Sequence, residues 1–191
     1  MKQLSRRLGI FVLAMSSLPA IANQWQVDHD NSKLAFVVIW DGVALEGIYR
    51  RFNANMIFDV NEPANSGFDV SIELLSAKTN NADVDEGISG STWFDYKHHP
   101  LASFKTTEIR SLGEHRFAAQ GVLTIKGISK PITMPFTWTQ ANSQAHMHGE
   151  VSVKRTDFNI GAGEWASDPS IDYDVKVIVD LRLKQGLPAA R

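Results

Sequence analysis

The chain contains no cysteine. That absence removes thiol nucleophiles, disulfides, iron–sulfur clusters and cysteine-ligated zinc. An excess of positive charge is also missing. Nineteen Lys and Arg stand against 21 Asp and Glu, for a formal net charge of −2. The basic footprint of a nucleic-acid binder is therefore absent, and no nucleic-acid partner is expected. The sequence holds no Walker loop and no G-x-G-x-x-G fingerprint. What is present is ordinary for a globular domain. Hydrophobic residues make up 43% and charged residues 21% of the 191 residues, which argues against disorder, collagen and coiled coil.

The first segment reads as a secretory signal. Lys2, Arg6 and Arg7 form a positive start, and Leu8 to Leu18 is a short apolar stretch. Ala20-Ile21-Ala22 has the A-x-A form of a cleavage site, which places the cut between Ala22 and Asn23. The apolar stretch falls short of the about 20 residues that cross a bilayer. Cleavage would remove three basic residues and no acidic one, leaving a mildly acidic chain without a transmembrane segment. Expected are a signal over 1–22, one domain over 23–185, a loose tail over 186–191, and a periplasmic location.

The rest of the chain alternates with period two, the mark of strands with one apolar face. Phe68-Asp69-Val70-Ser71-Ile72-Glu73-Leu74 is one such run. Phe117 to Ile125, Ile132 to Trp138, Met147 to Val153 and Val175 to Leu183 are others. Leu34 to Trp40 is apolar on both faces, as expected of a central strand or a cavity wall. Clusters of Gly, Asn, Asp and Pro separate the runs, as at Asp59–Gly67 and Gly161–Ser170. Many antiparallel strands at this spacing predict a sandwich or a barrel. Thr79 to Tyr96 breaks the rhythm and reads as a long loop with short helical turns covering one barrel end.

Motifs for chemistry fail when tested. Asn81, Asp83 and Asp85 mimic the start of a calcium loop, but Glu86 stands where Gly is needed and Thr92 where the bidentate Glu is needed. Gly87-Ile88-Ser89-Gly90-Ser91 misses the nucleophile-elbow pattern at its last position. His146 and His148 share a strand face, but it is the polar one and no third metal ligand is evident. No metal, covalent cofactor or catalytic residue is assigned. The informative feature is a large apolar set on alternating faces: Phe36, Trp40, Met56, Phe58, Ile72, Leu74, Leu123, Ile125, Met134, Phe136 and Trp138. Such side chains either fill a small barrel or line a pocket in a wider one, and periodicity does not separate the two.

Several patterns, in order, resemble the YceI family of bacterial periplasmic lipid-binding proteins. Trp25-Gln26-Val27-Asp28 with Ser32, Leu34 and Phe36 looks like its opening strand. Gly47 and Phe52 fit its next segment with a stretched spacing. Phe94-Asp95-Tyr96 leading to Pro100 and Phe104 resembles its F-F-D…P…F stretch. Gly121-Val122-Leu123-Thr124-Ile125-Lys126-Gly127-Ile128-Ser129-Lys130-Pro131 resembles G-x-L-T-I-x-G-x-T-x-P. Arg155-Thr156-Asp157-Phe158-Asn159-Ile160-Gly161 resembles R-x-D-F-G-I-G. The likeness covers residues 24–184.

The resemblance implies an all-β, extended lipocalin-like antiparallel barrel whose cavity holds a polyisoprenoid lipid, an isoprenoid quinone or a prenyl phosphate. It makes the apolar set above, with Phe104, the lipid-binding lining. Trp93, Phe94, His99, Arg155 and Asp157 become mouth or lid residues. With a carrier, reservoir or donor role, a membrane redox protein becomes an expected partner beside the lipid. Two departures stand out. Many relatives carry His near Ile39-Trp40-Asp41, and Arg-Asp and His-Leu pairs where this chain reads Asp83-Val84-Asp85-Glu86-Gly87-Ile88. An acidic loop disfavours a pyrophosphate, so a neutral quinone head is easier to accommodate. Arg155 and Asp157 read equally as a structural pair or as head-group contacts, and Tyr49-Arg50-Arg51 as a solvated tip or a site for anionic head groups. Two rivals stay open. One is an enzyme on an apolar substrate using Asp157 or His99, and the other is a ligand-free interaction module with a filled barrel.

Overall fold

The structure, a computed structural model, describes residues 24–186. The expected signal over 1–22 lies outside these residues, as does all of the expected tail except Gly186. The described strands are β1 (Gln24–Val27), β2 (Lys33–Trp40), β3 (Val43–Tyr49), β4 (Phe52–Ile57), β5 (Gly67–Glu73), β6 (Ala77–Lys78), β7 (Leu101–Gly113), β8 (Arg116–Ile125), β9 (Ile128–Ala141), β10 (Gln144–Lys154) and β11 (Asp174–Gln185). A short helix, α1 (Ala82–Gly87), lies in the stretch that breaks the period-two rhythm. No described helix is long and apolar enough to cross a membrane.

Every described pairing between strands is antiparallel, and the sheet closes on itself. Three of its walls are interrupted strands. β1 and β2 follow one another along β11, separated by a 3-10 turn at His29–Asn31. β3 pairs with β2 on one side and β6 on the other, while β4 pairs with β1 and β5. The barrel is therefore eight strands round: β1/β2, β3/β4, β5/β6, then β7 to β11. The buried Ser76 hydroxyl locks the kink between β5 and β6, accepting from the Arg51 N–H at 3.0 Å and donating to the Glu73 carbonyl at 2.6 Å. Closure removes the free edges that would invite aggregation.

The alternation read from the sequence holds along these walls. Leu34, Phe36, Val38 and Trp40 face inward from β2, with Ala35, Val37 and Ile39 between them. One end of the interior is filled by rings. Trp25, Phe58, Phe68, Phe117, Phe136 and Trp138 are all buried. Trp138 sits 4.5 Å from Phe58 and 5.2 Å from Trp25 between centroids, and Phe58 sits 5.0 Å from Phe117. Both indole N–H groups are satisfied: Trp25 Nε1 donates to the Phe58 carbonyl at 3.0 Å, and Trp138 Nε1 to Gln140 at 3.4 Å. Satisfied tips let such large rings be fully buried.

Trp138, at 0% exposure, is the centre of this plug. Trp138→Ala should lower the unfolding free energy by about 3–5 kcal/mol in a denaturant titration. A loss below about 1 kcal/mol would mean that the ring cluster does not hold the closed end.

Candidate functional site

Beyond the plug the interior is not filled. A cavity of about 540 Å³ occupies the other end of the barrel. Such a volume lies within the roughly 300–1,000 Å³ of ligand-bearing pockets. Its floor is Met56, Phe68, Met147 and Leu181, which also touch or join the packed core. Its walls mix aliphatic residues, with Val38, Val70, Val151, Val175, Val177 and Val179 among them, and aromatic rings such as Phe36, Trp40 and Phe104. One constriction is built into the wall: a Cβ at Gly47 would collide with the Phe36 ring, so only glycine lets that ring lie flat across β3. Phe36 in turn packs 5.3 Å from Tyr49.

The sequence-predicted lining divides between these two regions. Phe36, Trp40, Met56, Ile72, Leu74, Phe104, Leu123, Ile125 and Met134 line the cavity. Phe58, Phe136 and Trp138 do not, because they interlock in the aromatic plug below it. Of the mouth residues, Trp93, Phe94 and Arg155 line the cavity. His99 packs against the turn at Gly127 and Asp157 is exposed, and neither reaches the cavity. Sequence reasoning did not single out Tyr49 as an inward group, nor Thr79, Trp165 and Ile171. Tyr49 was available to it, since Leu45, Gly47 and Tyr49 share the inner face of β3.

The cap over the cavity is polar in its fittings and apolar toward the interior. Asn81 caps α1, its side-chain oxygen accepting from the N–H groups of Asp83 and Val84. Val84, Gly87, Ile88, Trp93 and Phe94 then face inward. Thr79 is 2% exposed and donates its hydroxyl to Asp85 at 2.9 Å. Burial pushes the Asp85 carboxyl up, but hydrogen bonds from the Thr79 N–H and hydroxyl, with Lys78, leave it below the usual range. Burial above all, then the neighbouring Tyr96, pushes the Tyr49 hydroxyl above the usual phenol range. Burial and the nearby Asp85 do the same to Tyr96. Both therefore stay protonated at neutral pH.

Arg155 is the one charged side chain among the buried residues described, at 2% exposure. It makes no ion pair with Asp157 or with any other described carboxylate. Instead Nε donates to the Asp172 carbonyl, Nη1 to those of Ile160 and Gly161, and Nη2 to those of Trp165 and Ile171, at 2.8–3.3 Å. Its face lies 5.9 Å from the Trp93 ring and 5.4 Å from that of Tyr173. Desolvation lowers its pKa. All five N–H groups are thus committed to the backbone of the segment that carries Trp165 and Ile171 to the cavity. On the outer face, His146 and His148 both hydrogen-bond Asp180.

A closed antiparallel barrel, packed at one end and hollow and apolar at the other, defines a lipocalin-like protein. The profile of the YceI-like domain matches residues 25–183, and the chain belongs to that family. A UPF0312 protein of Pseudomonas putida strain W619 is 26% identical over 187 residues, covering 93% of this chain and 96% of that protein. The crystal structure of BcnA from Burkholderia cenocepacia superposes with a TM-score of 0.80 at 29% identity, over 82% of this chain and 99% of BcnA. A polyisoprenoid binding domain from Saccharophagus degradans, implicated in plant cell wall breakdown, gives a TM-score of 0.66 over 87% of this chain and 99% of that domain. Its 16% identity bears on the fold alone.

Arg155→Lys retains the charge but offers three donors from one point instead of a planar fork of five. The amides of Ile160 and Ala162, bonded to the Arg155 and Thr92 carbonyls, should then exchange with solvent at least about tenfold faster. The Trp138 amide, bonded to the His115 carbonyl at the far end, should not change. Unchanged exchange at Ile160 would show that the guanidinium does not hold the segment.

Proposed function

We propose that this protein binds an isoprenoid lipid in the barrel cavity and acts as its carrier or reservoir, without catalysis. The observation that carries the reading is the apolar cavity of about 540 Å³ inside the barrel. Removing apolar surface from water yields about 25 cal/mol per Å², and a prenyl chain has little else to offer. The name of the Saccharophagus neighbour, a polyisoprenoid binding domain, supports the same ligand class. The lining residues named above, from Phe36 and Trp40 to Met134, are the lipid contacts in this reading. An isoprenoid quinone suits the cap better than a prenyl phosphate, because Asp83, Asp85 and Glu86 stand on α1.

The location proposed is the periplasm, reached through the signal over 1–22, with a membrane redox protein as exchange partner. The enzyme alternative gains no support from Asp157 or His99, which lie away from the cavity. A completely packed barrel interior would have supported the interaction-module alternative, and the interior is filled only at the plug.

The test is mass spectrometry of an organic extract of protein purified from its native source, beside a cavity-filling variant. Val177 faces the cavity from β11, beside Phe36 on β2, so Val177→Trp should occupy that space, keep the fold and abolish the co-purified prenyl lipid. A folded wild-type protein that carries no lipid and takes up no prenyl probe on titration would overturn the proposal.

A further inference from the structure

The cavity lining contains few polar side chains: Tyr49, Thr79, Asn81, Asp83 and Arg155. Most of their polar atoms are already committed. Thr79 is held by Asp85 and the Asn81 carbonyl, and the Asn81 side-chain oxygen by the start of α1. Arg155 has no N–H left over, as its five donors end on five carbonyls. Asp83 is exposed at the rim and offers only acceptors. Tyr49 differs from all of these. Its ring lines the cavity beside Phe36, and its hydroxyl has no hydrogen-bond partner among the described residues. A second hydroxyl, that of Tyr96, is buried in the same region and has no partner either. Tyr96 stacks on the cavity-lining Phe94 with ring centroids 5.9 Å apart.

An unpaired polar group in an apolar interior costs about 1–3 kcal/mol, so native structures rarely keep one without a use. We propose that the Tyr49 hydroxyl, supported by Tyr96, is the head-group site of the cavity and donates a hydrogen bond to a neutral acceptor oxygen of the bound lipid. The inference rests on the lipid-binding reading above and adds the end of the cavity at which the head lies. A phenol donates well to a quinone carbonyl or to an ether oxygen. Anionic heads are disfavoured by the carboxylates of Asp83, Asp85 and Glu86 nearby on α1. The apolar tail then runs toward the floor at Met56 and Phe68.

The experiment compares two probes of equal chain length, a benzoquinone bearing a three-isoprene tail and the hydrocarbon farnesene. Both are titrated by displacement of a fluorescent apolar dye from the full mature protein. Tyr49→Phe should weaken quinone binding about tenfold, equivalent to about 1.4 kcal/mol, and leave farnesene binding unchanged. Tyr96→Phe should weaken quinone binding in the same direction by a smaller factor. A Tyr49→Phe protein that binds the quinone as wild type does would overturn the head-group site while the cavity reading stands. Equal loss for both probes would also overturn it, since the ring and not the hydroxyl would then matter. Wild-type protein that binds neither probe would overturn the lipid reading itself.

Discussion

The molecule depends on the hydrogen-bonded seam that joins its first strands to its last. β1 and β2 lie along β11 from both directions, and β1 alone also reaches β4. Without that seam β11 and the β1/β2 strand would be two exposed edges of an open sheet. Open sheets that curl bury one face only by packing on something else. Closure makes the barrel its own second layer, so the inward residues of every strand meet across a common interior. The single 3-10 turn at His29–Asn31 lets one chain segment serve both ends of the seam although its pairing with β11 shifts in register.

What the closed wall encloses depends on how the inward side chains meet. At one end six aromatic rings meet with centroids 4.5–5.9 Å apart and leave no space. At the other end valines share the wall with rings such as Phe36, Trp40 and Phe104, and these side chains leave a cavity of about 540 Å³ between them. The fold can bear that void because the plug supplies the packing. Each of those rings buries roughly 150–250 Å², while the cavity walls give up the contacts that a filled core would make. An apolar wall is also a poor host for ordered water, which needs two to four polar partners. Division of labour along the barrel axis thus lets one end hold the fold while the other remains available.

The period-two pattern made the barrel legible from sequence because it reports which face a residue takes. It does not report depth. Met134, Phe136 and Trp138 share one face of β9, yet each step of two residues moves about 6.6 Å along the strand. Three consecutive members therefore descend from cavity wall to packed plug, and the pattern alone groups them together. Residue type held the missing signal: the face turns from aliphatic to aromatic along β9, as it does toward Phe117 at the start of β8. Along β11 the same change is muted, from Val175, Val177 and Val179 at the cavity to Leu183 in the packed end. The stretch from Thr79 to Tyr96 was legible as a cap because it lacked alternation. The uses of its polar atoms were not, since they depend on partners brought in from β6 and the Gly161–Ser170 segment.

Arg155 shows the same limit and explains the character of the cavity mouth. Two residues from Asp157, it invites reading as an ion pair, but the 3-10 turn at Arg155–Phe158 buries the arginine and exposes the aspartate. A buried guanidinium pays several kcal/mol in desolvation. Hydrogen bonds from a charged donor contribute about 1.5–3 kcal/mol each, so five carbonyl partners are enough to offset that penalty without any carboxylate. Room for the fork is kept by Gly161, where a Cβ would collide with Nη1 and where φ is +69°. The charge is thereby neutralised by dipoles belonging to the loop it organises. It anchors Trp165 and Ile171 over the cavity but presents no free donor to what lies inside. A cation with unused N–H groups at this position would select an anionic head. One fully engaged with backbone exerts no such selection.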